Sequence, residues 1–281
     1  MGGLLFVLPP ALGRAKAEAR AELIRAALEQ KLGESVETHV AANYADIEER
    51  TASGEAQLVW APAGVTAKLQ AARAVLTIVR EGQTNYRSAI VARKNAKLRL
   101  AELSGTKAAW VDPLSAGGYL LAIAKLRAEG IDPVKTFASQ MFLGSHRAAV
   151  EAVLHETVDV TAVSSHKMDA ASMAEKLRWY AGPAGDKLTA IAFTESCLND
   201  AIVLPASLSE AKAIALAQKL VPTTPSEIAR SRLLSALEAE GLVQTPLEEY
   251  HRLAPLLTPP PAAEDRITLP PPSRSSRPSW H

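Results

Sequence analysis

The chain is predicted to be α/β, with mostly parallel sheets carrying helices on both faces, and three observations carry that expectation. Short apolar runs of strand length alternate with segments of helical period along most of its 281 residues, the order that builds parallel sheets. The alternation falls into two blocks, the second embedded in the first. Composition agrees: 48% hydrophobic and 22% charged residues belong to a folded chain with a real core rather than a disordered one.

Residues 3–8 form the first strand, around Leu4-Leu5-Phe6-Val7-Leu8. This run is short, lacks a basic lead-in and ends in Pro9-Pro10, so it reads as a strand rather than a secretory leader. That reading places the chain in the cytoplasm, or in the periplasm if a leader has been removed. Helix 15–32 follows, with apolar residues at 23, 24, 27 and 28 and Gly33 as its stop signal. Residues 36–40 are a strand and 44–53 a helix. Residues 57–60 are a buried strand running into Ala61-Pro62-Ala63-Gly64, and 75–79 and 87–91 are further strands.

The embedded block begins with a short helix at 100–105 and a strand at 107–111. Helix 117–129, strand 135–142, helix 147–154 and strand 159–163 come next. Strands 188–193 and 201–203 return to the first block, and helices 209–220 and 225–240 close it. From Thr258 periodicity vanishes and proline and serine take over, as in Pro259-Pro260-Pro261 and Pro270-Pro271-Pro272. Such a tail has too little apolar surface to offset its ordering entropy and is expected to be disordered or extended. The expected division is therefore 1–86 and 191–257 for one lobe, 87–190 for the other, and 258–281 for the tail. Two crossings near 82–92 and 184–196 would make a two-strand hinge with a cleft between the lobes.

Several function classes are disfavoured. With 31 basic and 30 acidic residues the net charge is +1, unlike the basic stripe of a nucleic-acid binder. No run approaches the roughly 18 apolar residues that cross a bilayer, so no membrane insertion is expected. The single cysteine, Cys197, makes neither an internal disulfide nor a zinc site. His155 and His166 with Asp159 and Asp169 lack a helical ligand pairing, so no metal is expected. No motif calls for a cofactor.

The stretch Ala109-Trp110-Val111-Asp112-Pro113-Leu114-Ser115-Ala116-Gly117-Gly118-Tyr119 is the most informative in the chain. A strand meets a tight Asp-Pro turn, a hydroxyl, two glycines and then a helix. The unpaired N–H groups and the positive dipole end of a helix start favour an anion. Glycine there lets a ligand oxygen approach the backbone.

Around this stretch lie Gln57-Leu58-Val59-Trp60-Ala61-Pro62, Asn85-Tyr86-Arg87-Ser88-Ala89-Ile90-Val91 and Gly144-Ser145-His146. In order and spacing, over about residues 3 to 220, the set resembles the phosphate/phosphonate ABC-transporter substrate-binding family. That resemblance implies a two-lobed type II periplasmic-binding-protein-like fold that traps a phosphonate, phosphite or phosphate, with an ABC permease as partner. It implies that Tyr44 and Tyr86 line the cleft, that Ser115, Ala116 and Gly117 grip the oxyanion, and that His146 contacts it from the second lobe. Asp200 matches the acidic residue on the return segment. Family members often carry three consecutive hydroxyl residues at the helix start, whereas here Ser115 is followed by Ala116 and Gly117.

Apart from the resemblance, each residue has a plainer role open to it. The glycines would merely begin a helix, the tyrosines would be half-buried packing, His146 would cap a helix and Asp200 would sit in a turn. Trp60 and Trp110 read as core. Two other functions also stand. Ser115, His146 and Asp200 are the residue types of a hydrolase triad, though no Gly-x-Ser-x-Gly elbow is present. Alternatively the fold serves as a cytoplasmic ligand sensor or partner-binding domain, its proline-rich tail offering an extended recognition segment to an unknown partner.

Overall fold

Alternate residues of the first strand, β1 (Leu4–Leu8), enter two different cores. Leu4, Phe6 and Leu8 face one and Val7 the other, so a period of two buries both faces of one sheet. The structure is a computed structural model that describes residues 3–10, 13–257 and 267–268.

The first sheet joins β1 to β2 (Val36–Val40), β3 (Leu58–Ala61), β4 (Ala72–Val79), β10 (Ala201–Pro205) and β11 (Gly241–Gln244), in the order β11-β4-β10-β3-β1-β2. The second joins β5 (Asn85–Arg93), β6 (Lys107–Trp110), β7 (Ser139–Phe142), β8 (Val160–Ser165), β9 (Leu188–Leu198) and β12 (Ile267–Thr268), in the order β12-β7-β6-β8-β5-β9. Helices cover both faces. In the first lobe these are α1 (Arg14–Leu32), α2 (Tyr44–Ala52), α3 (Ala63–Lys68), α8 (Glu210–Leu220), α9 (Pro225–Arg230), α10 (Arg232–Leu237) and α11 (Ala254–Leu257). In the second they are α4 (Leu121–Ala128), α5 (Pro133–Thr136), α6 (His146–Leu154) and α7 (Ala170–Ala181). No helix among the described residues is long and apolar enough to cross a membrane.

Parallel pairing is confined to β2-β1-β3 and to β12-β7-β6-β8. The strands that enter from the hinge, β5, β9 and β10, and the late strand β11 all pair antiparallel, so both sheets are mixed rather than mostly parallel. A chain that crosses to a second sheet and comes back arrives in the opposite direction, which is the physical reason. The boundaries shift with it. β9 stays paired with β5 as far as Leu198, so the passages between sheets fall at 80–84 and 199–200, and the return begins later than residue 191.

Several segments differ from the sequence reading. The strand expected over 135–142 is confined to β7, because residues 133–136 form a helical turn that Asp132 caps, taking the Val134 N–H at 3.0 Å, with Pro133 at its first position. The helix expected over 225–240 breaks at Ser231, whose hydroxyl caps α10 through Leu234 N at 3.2 Å. α7, left unassigned by the sequence reading, buries Met173, Leu177 and Tyr180. The tail at 258–281 lies outside the described residues except for Ile267–Thr268, which runs parallel to β7.

Asn199 fastens the two hinge passages together. Its side-chain NH₂ donates to Ile78 O at 2.8 Å and Gln83 O at 2.9 Å, and its backbone N–H to Thr84 O at 2.8 Å. Its own carbonyl accepts the Tyr250 hydroxyl at 2.7 Å.

Candidate functional site

The turn after β6 is built by Asp112. One carboxylate oxygen accepts the Leu114 N–H at 2.8 Å and the other accepts the Tyr44 N–H at 3.3 Å, from the opposite lobe. Burial pushes this carboxyl up from its ordinary value. Ser115 then caps the next turn, its hydroxyl accepting the Gly118 N–H at 3.1 Å. That turn, Ala116–Leu120, is a wide π-turn closed by Leu120 N to Ser115 O at 3.0 Å, a form found often at functional sites. The Ser115 hydroxyl accepts the Gly118 N–H and also bonds the Tyr44 hydroxyl, so the two hydroxyls act as a pair.

The two glycines are required by packing. A Cβ on Gly118 would lie 2.3 Å from Val111 Cγ2, and one on Gly117 would lie 2.9 Å from Tyr86 Cε2. Gly117 therefore seats the Tyr86 ring, and Gly118 lies flat on the strand behind it. Tyr86 projects from β5, opposite Cys197 of β9. Burial, and next Cys197 and Asp200, raise its hydroxyl well above the usual range. Tyr44 opens α2 behind the Asn43 cap. Its hydroxyl is raised by burial and by Asp200 and Asp112, while Ser115 pulls the other way. Both tyrosine hydroxyls thus stay protonated at ordinary pH, Tyr86 bonded to Cys197 and Tyr44 to Ser115.

His146 begins α6, but Ser145 is the residue that caps it, taking the Ala148 N–H at 3.2 Å. The imidazole leans on the Tyr180 ring, with centroids 5.5 Å apart. Burial, and next the Lys176 charge, lower its pKa to about 4 despite the Ala162 carbonyl, which favours the protonated ring. Its Nδ1 is a buried side-chain polar atom with no protein partner. In folded proteins such an atom calls for a water or a ligand.

Asp200 stands at the return passage. Its carboxylate accepts the Trp60 Nε1–H at 3.2 Å and its carbonyl accepts Ile78 N at 2.9 Å. Trp60, expected to be core alone, is buried but also faces the cleft with this bond. Trp110 is core throughout, bonded to Gln140 at 2.9 Å.

Tyr44, Tyr86, Ser115, Ala116, Gly117, His146 and Asp200 all line one cavity of about 130 Å³ between the two sheets. That is small beside the roughly 300–1,000 Å³ of pockets for drug-sized ligands. Ser115, His146 and Asp200 do not form a relay: the serine hydroxyl takes an amide, Nδ1 is unpartnered and the aspartate takes an indole. Among the described residues no group of three or more His, Cys, Asp or Glu could hold a metal.

The sequence reading missed the cations of this wall. Arg20 of α1, Arg80 after β4 and Lys176 of α7 line the same cavity, with Trp179 and His166. The i, i+4, i+7 spacing of Met173, Leu177 and Tyr180, behind the cap Asp169, was the signal for α7. Nothing local marks Arg80.

Residues 6–250 match the family model of the ABC-transporter phosphonate periplasmic substrate-binding proteins. Among solved structures, the chain is similar to a binding-protein component of an ABC phosphonate transporter from Pseudomonas aeruginosa, at 19% identity and TM-score 0.76, covering 90% of this chain and 84% of that one. It is similar to PhnD1 from Prochlorococcus marinus in complex with methylphosphonate, at 17% identity and TM-score 0.76, covering 90% and 96%. MatC from Rhodopseudomonas palustris with bound malate aligns at 15% identity and TM-score 0.54, covering 91% and 99%. No curated protein matches the chain.

Proposed function

The chain belongs to the phosphonate periplasmic substrate-binding proteins of ABC transporters, and from that premise we propose that the cavity between its two sheets holds the oxyanion head of a phosphonate, phosphite or phosphate. The family binds solute rather than transforming it. The observation that carries the reading is the unpartnered, buried His146 Nδ1 in the wall that also holds Ser115 and the start of the π-turn.

A phosphonate oxygen meets neutral donors here: the Ala116 and Gly117 amides ahead of the first turn bond, one hydroxyl hydrogen of the bonded Ser115–Tyr44 pair, and the Tyr86 hydroxyl once it turns from Cys197. Hydrogen bonds to a charged oxygen are worth roughly 1.5–3 kcal/mol each. Four of them, less the cost of immobilisation, give binding of about −8 to −12 kcal/mol, micromolar to nanomolar. Tyrosine and amide donors replace the hydroxyls that Ala116 and Gly117 lack. Asp200, beside the anion, accepts a hydrogen bond from the P–OH of a singly ionised head. The partner that receives the ligand is the cognate ABC permease.

Thermal melting with millimolar methylphosphonate, phosphite, phosphate, sulfate and malate tests this. The phosphorus oxyanions raise Tm by binding the native state, which a hundredfold excess over Kd stabilises by about 2.7 kcal/mol. A shift with sulfate or malate and none with the phosphorus set overturns the reading.

A further inference from the structure

We propose that the ligand carries a second negative charge, a carboxylate on a short arm from phosphorus, read by Lys176 and Arg80 at the cavity mouth. The inference rests on the oxyanion reading of the same cavity.

The seat and the mouth differ in chemistry. The seat around Ser115, Gly117 and the two tyrosines offers neutral donors, with His146 Nδ1 beside them. Beyond it, Arg80, His166, Lys176, Trp179 and Glu238 line both the cavity and an outer groove of about 650 Å³. A substituent leaving the seat toward that groove must pass these side chains.

The balance of pairing there is uneven. Glu238 is taken by Arg20, and Asp200 holds the Trp60 indole N–H. Lys176 has its ammonium 5.0 Å from the Trp179 ring centroid and 5.7 Å from that of Tyr180. No carboxylate among the described residues pairs with it. Arg80 stacks 5.8 Å over Trp60 and spends Nε and Nη2 on the carbonyls of Glu238 and Leu237, at 3.1 and 3.2 Å. It too has no carboxylate partner among the described residues. In the outer groove Glu81 faces His166 and Lys167, Glu240 accepts the Gly82 N–H, and Glu175 lines the groove but not the cavity.

Two cations without counter-ions therefore flank the exit, with indole faces beside them. A ligand carboxylate completes them with charge-assisted hydrogen bonds. A ligand ammonium meets two like charges and is turned away, and such a clash discriminates more sharply than a lost contact does.

Isothermal titration of the full chain with methylphosphonate, phosphonoacetate, 3-phosphonopropionate and 2-aminoethylphosphonate tests the assignment. A carboxylate-bearing phosphonate binds about tenfold or more tighter than methylphosphonate, and 2-aminoethylphosphonate binds weakest. Lys176→Glu, at a half-exposed position, shifts the ratio of the carboxylate and ammonium affinities by at least about tenfold toward the ammonium. Arg80→Gln narrows the same ratio. Methylphosphonate bound as tightly as the carboxylates, or an unmoved ratio in both variants, overturns this inference and leaves the oxyanion reading standing. No binding by any of the four removes both.

Discussion

The Tyr44 backbone amide donates to Asp112 Oδ2 at 3.3 Å across 68 residues of sequence, so the first turn of α2 in one lobe is tied to the strand–helix turn of the other. The lobes meet at this seam with little room. Gly64 of α3 faces the Leu114 carbonyl so closely that a Cβ would sit 2.0 Å from its oxygen. Tyr86, Ala116 and Leu121 from the second lobe pack into the core cluster of the first. The two halves are closed upon the cavity.

Gly64→Ala is therefore expected to oppose closure without unfolding either lobe. Alanine is the better helix former at this position, and its Cβ also meets Leu120 Cδ1 at 3.1 Å. The collision that matters is with the Leu114 backbone of the other lobe, which has no side-chain rotamer to move. Affinity for methylphosphonate should fall about tenfold or more, equal to roughly 1.4 kcal/mol, and small-angle scattering should show a more extended particle. Wild-type affinity together with wild-type scattering would mean the seam does not govern binding.

Asn199→Ala tests the hinge. The substitution strips Ile78 O and Gln83 O of their amide donors and removes the carboxamide oxygen that faces His166 Nε2 at 3.3 Å. Asn199 is 1% exposed, so water does not freely replace these bonds. A loss of about 2–4 kcal/mol in chemical denaturation is expected. A loss under 1 kcal/mol would show that the hinge carbonyls find other donors.

What the sequence disclosed and what it hid follow from the range of each interaction. β1, α1 and β2 were legible because strand alternation, helical period and a stop glycine are local. The stretch from Asp112 to Gly118 was legible for the same reason, since it is one continuous turn. The mouth was not. Arg80 comes to Trp60 only because β4, β3 and the return strand β10 share a sheet, and that pairing is written nowhere near residue 80. β11 owes its conformation to antiparallel pairing with β4. α7 had a readable pattern and cap, and with it went Lys176 and Trp179. Gly117 and Gly118 were visible as glycines, but only the packing of Tyr86 and Val111 shows why neither tolerates a side chain.

His146 gives the empty protein a pH dependence of definite sign. The buried ring takes its proton near pH 4, an unfolded histidine near 6.5. Between those values the unfolded chain holds more protons, so stability rises with pH through that window and is lost on acidification, by up to about 3 kcal/mol. Denaturation at pH 4 through 7 should show this slope, and His146→Gln should flatten it. A bound oxyanion beside Nδ1 favours the protonated ring. Titrations at pH 5.5 in two buffers of different ionisation enthalpy should therefore report proton uptake on binding. Equal heats in both buffers would exclude His146 as a proton-taking contact.

Gly117→Ala isolates the wall between the π-turn and Tyr86. The new methyl would lie 2.9 Å from Tyr86 Cε2 and 3.2 Å from Ser164 Cβ. The Tyr86 ring is buried and leans on His166 with centroids 6.2 Å apart, so it has little freedom to retreat. Overpacking of this kind costs about 1–3 kcal/mol of stability, and the displaced ring should carry its hydroxyl away from the seat. Methylphosphonate affinity should drop about tenfold or more, the range of one charge-assisted hydrogen bond. Tyr86→Phe separates the two effects, because it removes the hydroxyl and keeps the ring: it should lower affinity with less change in melting temperature than Gly117→Ala. If both variants bind as the wild type does, Tyr86 is packing alone and the remaining donors hold the oxyanion.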